Sequence, residues 1–173
     1  NNAYAQDNPT SWMDWSTDPD PRLTDFVANL LALRHAQPAL RRKRFFTGAL
    51  IDPDEPLRDV HWLAPEGTEM EGRHWSDDGL QVFGMQIGND GGPGDRLLML
   101  FNAGEGPLTF HLAPVIGGPW RPVFDAGEPD GALPPDAPAY EAGAAVPLPG
   151  RTVLVLTAAG TENGSRTGWV SER

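Results

Sequence analysis

No cysteine occurs among the 173 residues, so disulfides, thiolate metal sites and thiol nucleophiles are excluded together. Cations are scarce as well. Thirteen Lys and Arg stand against 24 Asp and Glu, a net charge of −11. A surface of that sign repels phosphate backbones and anionic lipids, which argues against nucleic-acid and membrane partners. No stretch approaches the roughly 20 apolar residues of a membrane span, and no signal-peptide pattern opens the chain. A cytoplasmic setting is the expectation. The four histidines (His35, His61, His74, His111) lie far apart and none has a metal-type spacing, so neither metal nor cofactor is expected. No Gly-x-Ser-x-Gly is present, and Gly91-Gly92-Pro93-Gly94 lacks the Lys-Ser/Thr of a phosphate loop.

What the chain does have is punctuation. Glycine and proline number 20 and 18, marking frequent turns while staying under the roughly 25–30% that signals low complexity. Hydrophobic residues make up 39% and include six tryptophans, enough to supply a core. Residues 1–20 are polar and turn-prone. A helix then starts at Pro21 with Asp20 as its N-cap. Leu23, Phe26, Val27, Leu30, Leu31 and Arg34 recur at helical spacing as one apolar stripe, and Pro38 closes the segment. The basic run Arg41-Arg42-Lys43-Arg44 follows the helix end, where cations complement exposed carbonyls.

After Gly48 the period shortens to that of strands: Val60–Leu63, Leu80–Ile87, Leu97–Asn102, Leu108–Leu112, Trp120–Phe124, Ala145–Leu148 and Thr152–Thr157. The continuous apolar runs Leu97–Phe101 and Val153–Leu156 read as central strands covered on both faces. Seven short strands with turn signals and no helix between them predict a mainly β fold, an antiparallel β-sandwich. Ala64–Gly79 and Ala126–Gly143 read as polar excursions between strands. Residues 161–173 read as a disordered tail.

Three acidic groups invite a catalytic reading: Asp52/Asp54/Glu55, Glu69/Glu71 and Asp77/Asp78. All sit in polar turns, where solvated carboxylates are the ordinary outcome, and nothing in the sequence buries one to raise its pKa. No catalytic residue is therefore assigned. Aromatics beside amides and carboxylates offer different chemistry, because sugar rings stack on Trp and Tyr while polar neighbours bind their hydroxyls. Asn2, Tyr4, Gln6 and Asp7 form such a group. Trp75, alone among charges, is a candidate surface sugar platform.

Several phrases carry a resemblance to a known family. The opening Asn-Asn-Ala-Tyr-Ala-Gln-Asp-Asn, the Trp12-Met13-Asp14-Trp15 that follows and the helix ending in His35-Ala36-Gln37-Pro38-Ala39-Leu40 are among them. So are Asp59-Val60-His61-Trp62-Leu63-Ala64-Pro65-Glu66-Gly67, Glu69-Met70 through Trp75, and Leu97–Ala103. Together they resemble the C-terminal part of bacterial glycogen-debranching enzymes, the isoamylase-like α-1,6-glucosidases of the α-amylase superfamily. Two positions depart from that pattern: Ala5 stands where the family has Cys, and Pro9 where it has Glu.

The resemblance implies that residues 1–45 are the end of a (β/α)8 catalytic barrel, its last loop and amphipathic helix. Residues 46–160 would then be the C-terminal β-sandwich domain. Glycoside hydrolysis needs two facing carboxyl groups, and the family's lie upstream of Asn1, so the chain by itself is expected to be inactive. The implied partners are α-glucan (glycogen or limit dextrin), met through a larger enzyme in which the opening loop borders the substrate groove, and the barrel itself. Without a barrel, self-association through Leu23, Phe26 and Leu30 is expected. The alternative is an independent carbohydrate-binding module, which has no use for a helix with an uncovered stripe.

Overall fold

A computed structural model describes residues 4–12, 14, 16, 20–51, 57–88, 96–134 and 136–159. The tail at 161–173 lies outside the described residues. Helix α1 runs Pro21–Ala36 and begins where the sequence places it. The Asp20 carboxylate accepts from the Arg22 amide at 3.2 Å and from its guanidinium at 3.0 Å. That side-chain bond from Arg22 holds the Asp20 carboxyl below the ordinary aspartate value. Proline at the first turn sacrifices no intrahelical bond. At the other end Gln37 leaves helical geometry before the 3-10 turn Pro38–Arg41, as a residue preceding proline should.

Seven strands follow: β1 (Val60–Leu63), β2 (Val82–Ile87), β3 (Arg96–Asn102), β4 (Leu108–His111), β5 (Arg121–Asp125), β6 (Ala145–Leu148) and β7 (Thr152–Ala158). Five form one antiparallel sheet in the order β1-β2-β3-β7-β5, and β4 and β6 form a second, two-stranded one. The mainly β, antiparallel expectation is borne out. The continuous apolar runs fall on β3 and β7, two of the three inner strands of the large sheet, and both faces of these strands are covered. Leu98, Leu100, Leu154 and Leu156 point to one side, where they share a core with Phe110, Val146 and Leu148 of the small sheet and with Trp120. Leu97 and Val155 point to the other, against Phe26, Leu33, Ala39 and Leu40 from the helical segment. Glycine at position 84 lets the layers close: a Cβ there would stand 2.9 Å from the Phe110 ring and 3.3 Å from Leu100.

Three expectations meet their outcome here. The helical stripe, expected to pack partly on the sandwich and to stay partly exposed, divides in that way. Phe26 and Leu33 turn toward the sheet, with the Phe26 ring edge-on to Phe124 at 5.1 Å, whereas Leu23, Val27, Leu30 and Leu31 stay exposed. The reason is geometric: a stripe 100° or more wide spans two contact directions. Phe26 is therefore withdrawn from any self-associating face. Second, a one-turn helix, α2 (Gly72–Trp75), interrupts the run of strands. Third, Ala126–Gly143 is not wholly a surface excursion, because Tyr140 exchanges both backbone bonds with Trp120 (2.7 and 2.8 Å) and packs with Leu133 on the core.

Candidate functional site

The opening loop is held by bonds within itself. The Asn8 carbonyl accepts from the Ser11 amide at 2.9 Å and the Trp12 amide at 3.2 Å. The Asn8 side chain accepts from the Thr10 amide at 3.0 Å, and the Ser11 hydroxyl donates to the Gln6 carbonyl at 2.5 Å. Pro9 occupies the second position of the Asn8–Ser11 turn, where a fixed φ is favourable. Trp12 is exposed, and its indole N–H donates to the Asp7 carboxylate at 2.6 Å.

Tyr4 and Ala5 adopt left-handed φ of 53° and 56°, uncommon for residues with a Cβ and worth noting as strain. Tyr4 is 85% exposed. The structure thus places Tyr4, Gln6 and Asp7 on one short exposed loop, while Asn2 and Trp15 lie outside the described residues. A ring, an amide and a carboxylate so arranged can stack on and hydrogen-bond a polyhydroxyl ligand.

In the two acidic groups that lie among the described residues, Glu69/Glu71 and Asp77/Asp78, every carboxylate is on an exposed residue. Glu69 lies 4.0 Å from Arg58 and Glu71 lies 3.4 Å from Arg73, both pairs exposed. Asp77 accepts from the Gly79 amide at 2.8 Å in a turn. Asp52, Asp54 and Glu55 lie outside the described residues. Among the described residues no group of three His, Asp or Glu could hold a metal ion, and no helix is long and apolar enough to cross a membrane.

Two members of the basic run, Arg41 and Arg42, are engaged locally. Arg41 donates to the His35 carbonyl at the end of α1 at 3.0 Å. Arg42 lies over the Phe46 ring at 4.4 Å and 3.6 Å from Asp59.

Two residues that sequence reasoning left without a role organise the fold around these segments. The nearly buried Asp59 carboxylate accepts from the Thr47 amide at 2.9 Å and the Gly48 amide at 2.7 Å, clamping the connection after the 3-10 turn onto β1. The Asn102 amide donates to the carbonyls of Gly106, Leu148 and Pro149 and accepts from the Gly104 amide, tying the β3–β4 turn to β6. Both belong to phrases that carry the family resemblance, and their partners show those phrases serving turns and clamps.

Trp75 lies at the C-terminal end of α2 and is 54% exposed. It is not alone. Trp62 of β1 meets it edge-on at 5.5 Å, Phe83 lies 6.0 Å beyond Trp62, and Phe101 stacks on Phe83 at 4.8 Å. The strand register sets Trp62 and Phe83 on the sheet face shared with Met85, Met99 and Val155, the face that the helical segment partly covers. That Trp75 joins them depends on the turn made by α2, which sequence spacing does not reveal.

No family model matches the chain. Individual proteins do. The chain is 33% identical over 169 residues, 90% of its length, to a glycogen operon protein GlgX homolog of Mycobacterium bovis, covering 23% of that protein. It is 34% identical over 128 residues, 73% of its length, to a glycogen debranching enzyme of Dickeya chrysanthemi, covering 17% of it. To an isoamylase of Pseudomonas amyloderamosa it is 29% identical over 129 residues, 72% of its length and 15% of the isoamylase. The chain thus spans less than a quarter of the length of these relatives. They bear out the resemblance to the isoamylase-like glycogen-debranching enzymes.

Proposed function

We propose, from its kinship with the isoamylase-like glycogen-debranching proteins, that the chain supplies the last barrel helix and the C-terminal β domain of a glycoside hydrolase. Its substrate is an α-glucan, glycogen or limit dextrin, cut at α-1,6 branch linkages. Residues 1–45 complete the barrel, and residues 46–160 shield and orient it. The catalytic carboxylates come from outside the 173 residues. Tyr4, Gln6 and Asp7 border the substrate groove.

The observation that supports this reading is the two-sided helix. One side of α1 packs on the sheet through Phe26 and Leu33. The other carries Leu23, Val27, Leu30 and Leu31 into solvent at 62, 45, 43 and 52% exposure. A helix whose only neighbour is the sheet has a polar outer face; four large apolar residues there call for a second surface. An independent carbohydrate-binding module leaves that stripe without a purpose.

Two experiments test the reading. The purified chain is expected to release no reducing sugar from glycogen limit dextrin or pullulan. Turnover that survives purification and disappears when one of its own acidic residues is replaced overturns the proposal. In the assembled enzyme, Tyr4→Ala and Asp7→Ala should each weaken debranching while leaving the melting temperature in place. Loss of one stacking or hydrogen-bonding contact costs about 1–3 kcal/mol, roughly five- to a hundredfold in kcat/KM. Unchanged kinetics for both variants would assign the loop to structure alone.

A further inference from the structure

The second aromatic beside Trp75 turns a lone exposed ring into a built surface. Helix α2 is only one turn long, yet it is braced. The Glu71 amide donates to His74 Nδ1 at 2.8 Å, the Glu71 side chain accepts from the third-residue backbone in return, and the Ser76 hydroxyl donates to the Gly72 carbonyl at 2.9 Å. The Met70 amide donates to the Trp62 carbonyl at 2.8 Å, fixing the start of this turn against β1. Trp75 is thereby held edge-on to Trp62, with interplanar angle 82°, while more than half its surface remains in water. A side chain this apolar is normally covered if it can be. Here the local bracing keeps it presented.

Two kinds of ligand lay a flat face on an exposed indole: nucleobases and the C–H face of sugar rings. A net charge of −11 repels the polyanion that carries nucleobases. It has no such effect on a neutral saccharide. The same turn displays Glu71 and Arg73, an exposed carboxylate and guanidinium that suit hydroxyl groups. Two rings at a steep angle form a corner, which fits a chain that curves from one sugar to the next better than one that runs flat. We propose that Trp75 and Trp62 form a glucan-holding site, separate from the opening loop, that takes a short curved segment of α-linked glucose units. The choice of α-glucan over other neutral saccharides rests on the debranching reading above. The site anchors polymer and performs no chemistry.

The test uses the 173-residue chain with maltoheptaose followed by tryptophan emission, and with glycogen cast into a native gel. Saturable emission change and retarded migration are expected. Trp75→Ala should weaken maltoheptaose binding about five- to tenfold and abolish the retardation, whereas Phe45→Ala, at an exposed ring elsewhere, should do neither. Trp75→Phe keeps a ring against Trp62 and so guards against misfolding; it should lose most of the emission change. Absence of binding by the unaltered chain overturns the inference, as does undiminished binding by Trp75→Ala or an undiminished signal from Trp75→Phe. The two proposals fail separately. If the assembled enzyme debranches short oligosaccharides while no Trp75-dependent binding exists, the anchoring site falls and the debranching reading stands. Trp75-dependent binding without debranching gives the reverse.

Discussion

Leu30→Glu combined with Leu31→Glu is expected to convert the isolated chain from a self-associating species to a monomer without unfolding it. Both leucines lie on the outer side of α1, exposed at 43 and 52%, so neither contributes to the contact that Phe26 and Leu33 make with the sheet. Full burial of an exposed leucine stabilises by roughly 1.5–3 kcal/mol, and each of these is already about half covered. Removing the two therefore costs an association about 1.5–3 kcal/mol, roughly ten- to a hundredfold in Kd. The new carboxylates add repulsion to a chain already at −11. Sedimentation across a concentration series reads the outcome, with far-UV circular dichroism as the control. In the assembled enzyme the same pair should loosen the helix from the barrel and lower the yield of folded protein. A chain that is monomeric before the change would leave the exposed stripe without its expected consequence. One whose association ignores the change would place the contact on another surface.

Phe26 shares the helical stripe with Leu30 yet packs on the sheet, and that division shows where sequence reading stops. Period 3.6 identifies which residues of α1 share a broad face, and capping chemistry fixes both its ends, because each depends on neighbours within a few positions. Which half of that face meets the sheet depends on where Phe124 and Val155 lie, about a hundred residues later in the chain. The strands were legible for the same local reason: alternation and turn residues gave Val60–Leu63 and Ala145–Leu148 without error. The division into five strands and two was not, since pairing order is a long-range property that short strands leave open.

The candidate site divides likewise. The chemistry of the opening loop could be named from its residue types, but the bond between Trp12 and Asp7 is a detail of turn geometry. The partnership of Trp62 with Trp75 required α2. Sequence alone left Trp75 isolated because the short Gly72–Trp75 stretch has no periodicity to read. Asp59 and Asn102 lacked roles for a related reason. A carboxylate that clamps two amides and an amide that gathers three carbonyls are indistinguishable, in sequence, from solvated polar residues.

The largest effect on stability is expected at Trp120. Its side chain is fully buried between the sheets, its indole N–H donates to the Gly117 carbonyl at 2.8 Å, and the Arg96 guanidinium lies over its ring at 5.3 Å. Trp120→Ala leaves a cavity the size of an indole and strips a partner from two polar groups. A change of that kind costs about 3–5 kcal/mol, a large share of the roughly 5–15 kcal/mol that holds a domain together. Chemical denaturation should show the unfolding free energy falling by that amount, and the midpoint with it, while Trp120→Phe recovers part of the loss because a ring still fills the space. The functional signature differs from that of the opening loop. In the assembled enzyme Trp120→Ala should leave kcat/KM near normal at low temperature and abolish activity on warming, as the β domain unfolds. Tyr4→Ala and Asp7→Ala should instead depress kcat/KM at every temperature at which the protein is folded. If Trp120→Ala lowers activity uniformly without lowering the melting temperature, the β domain contributes to catalysis by more than holding its place.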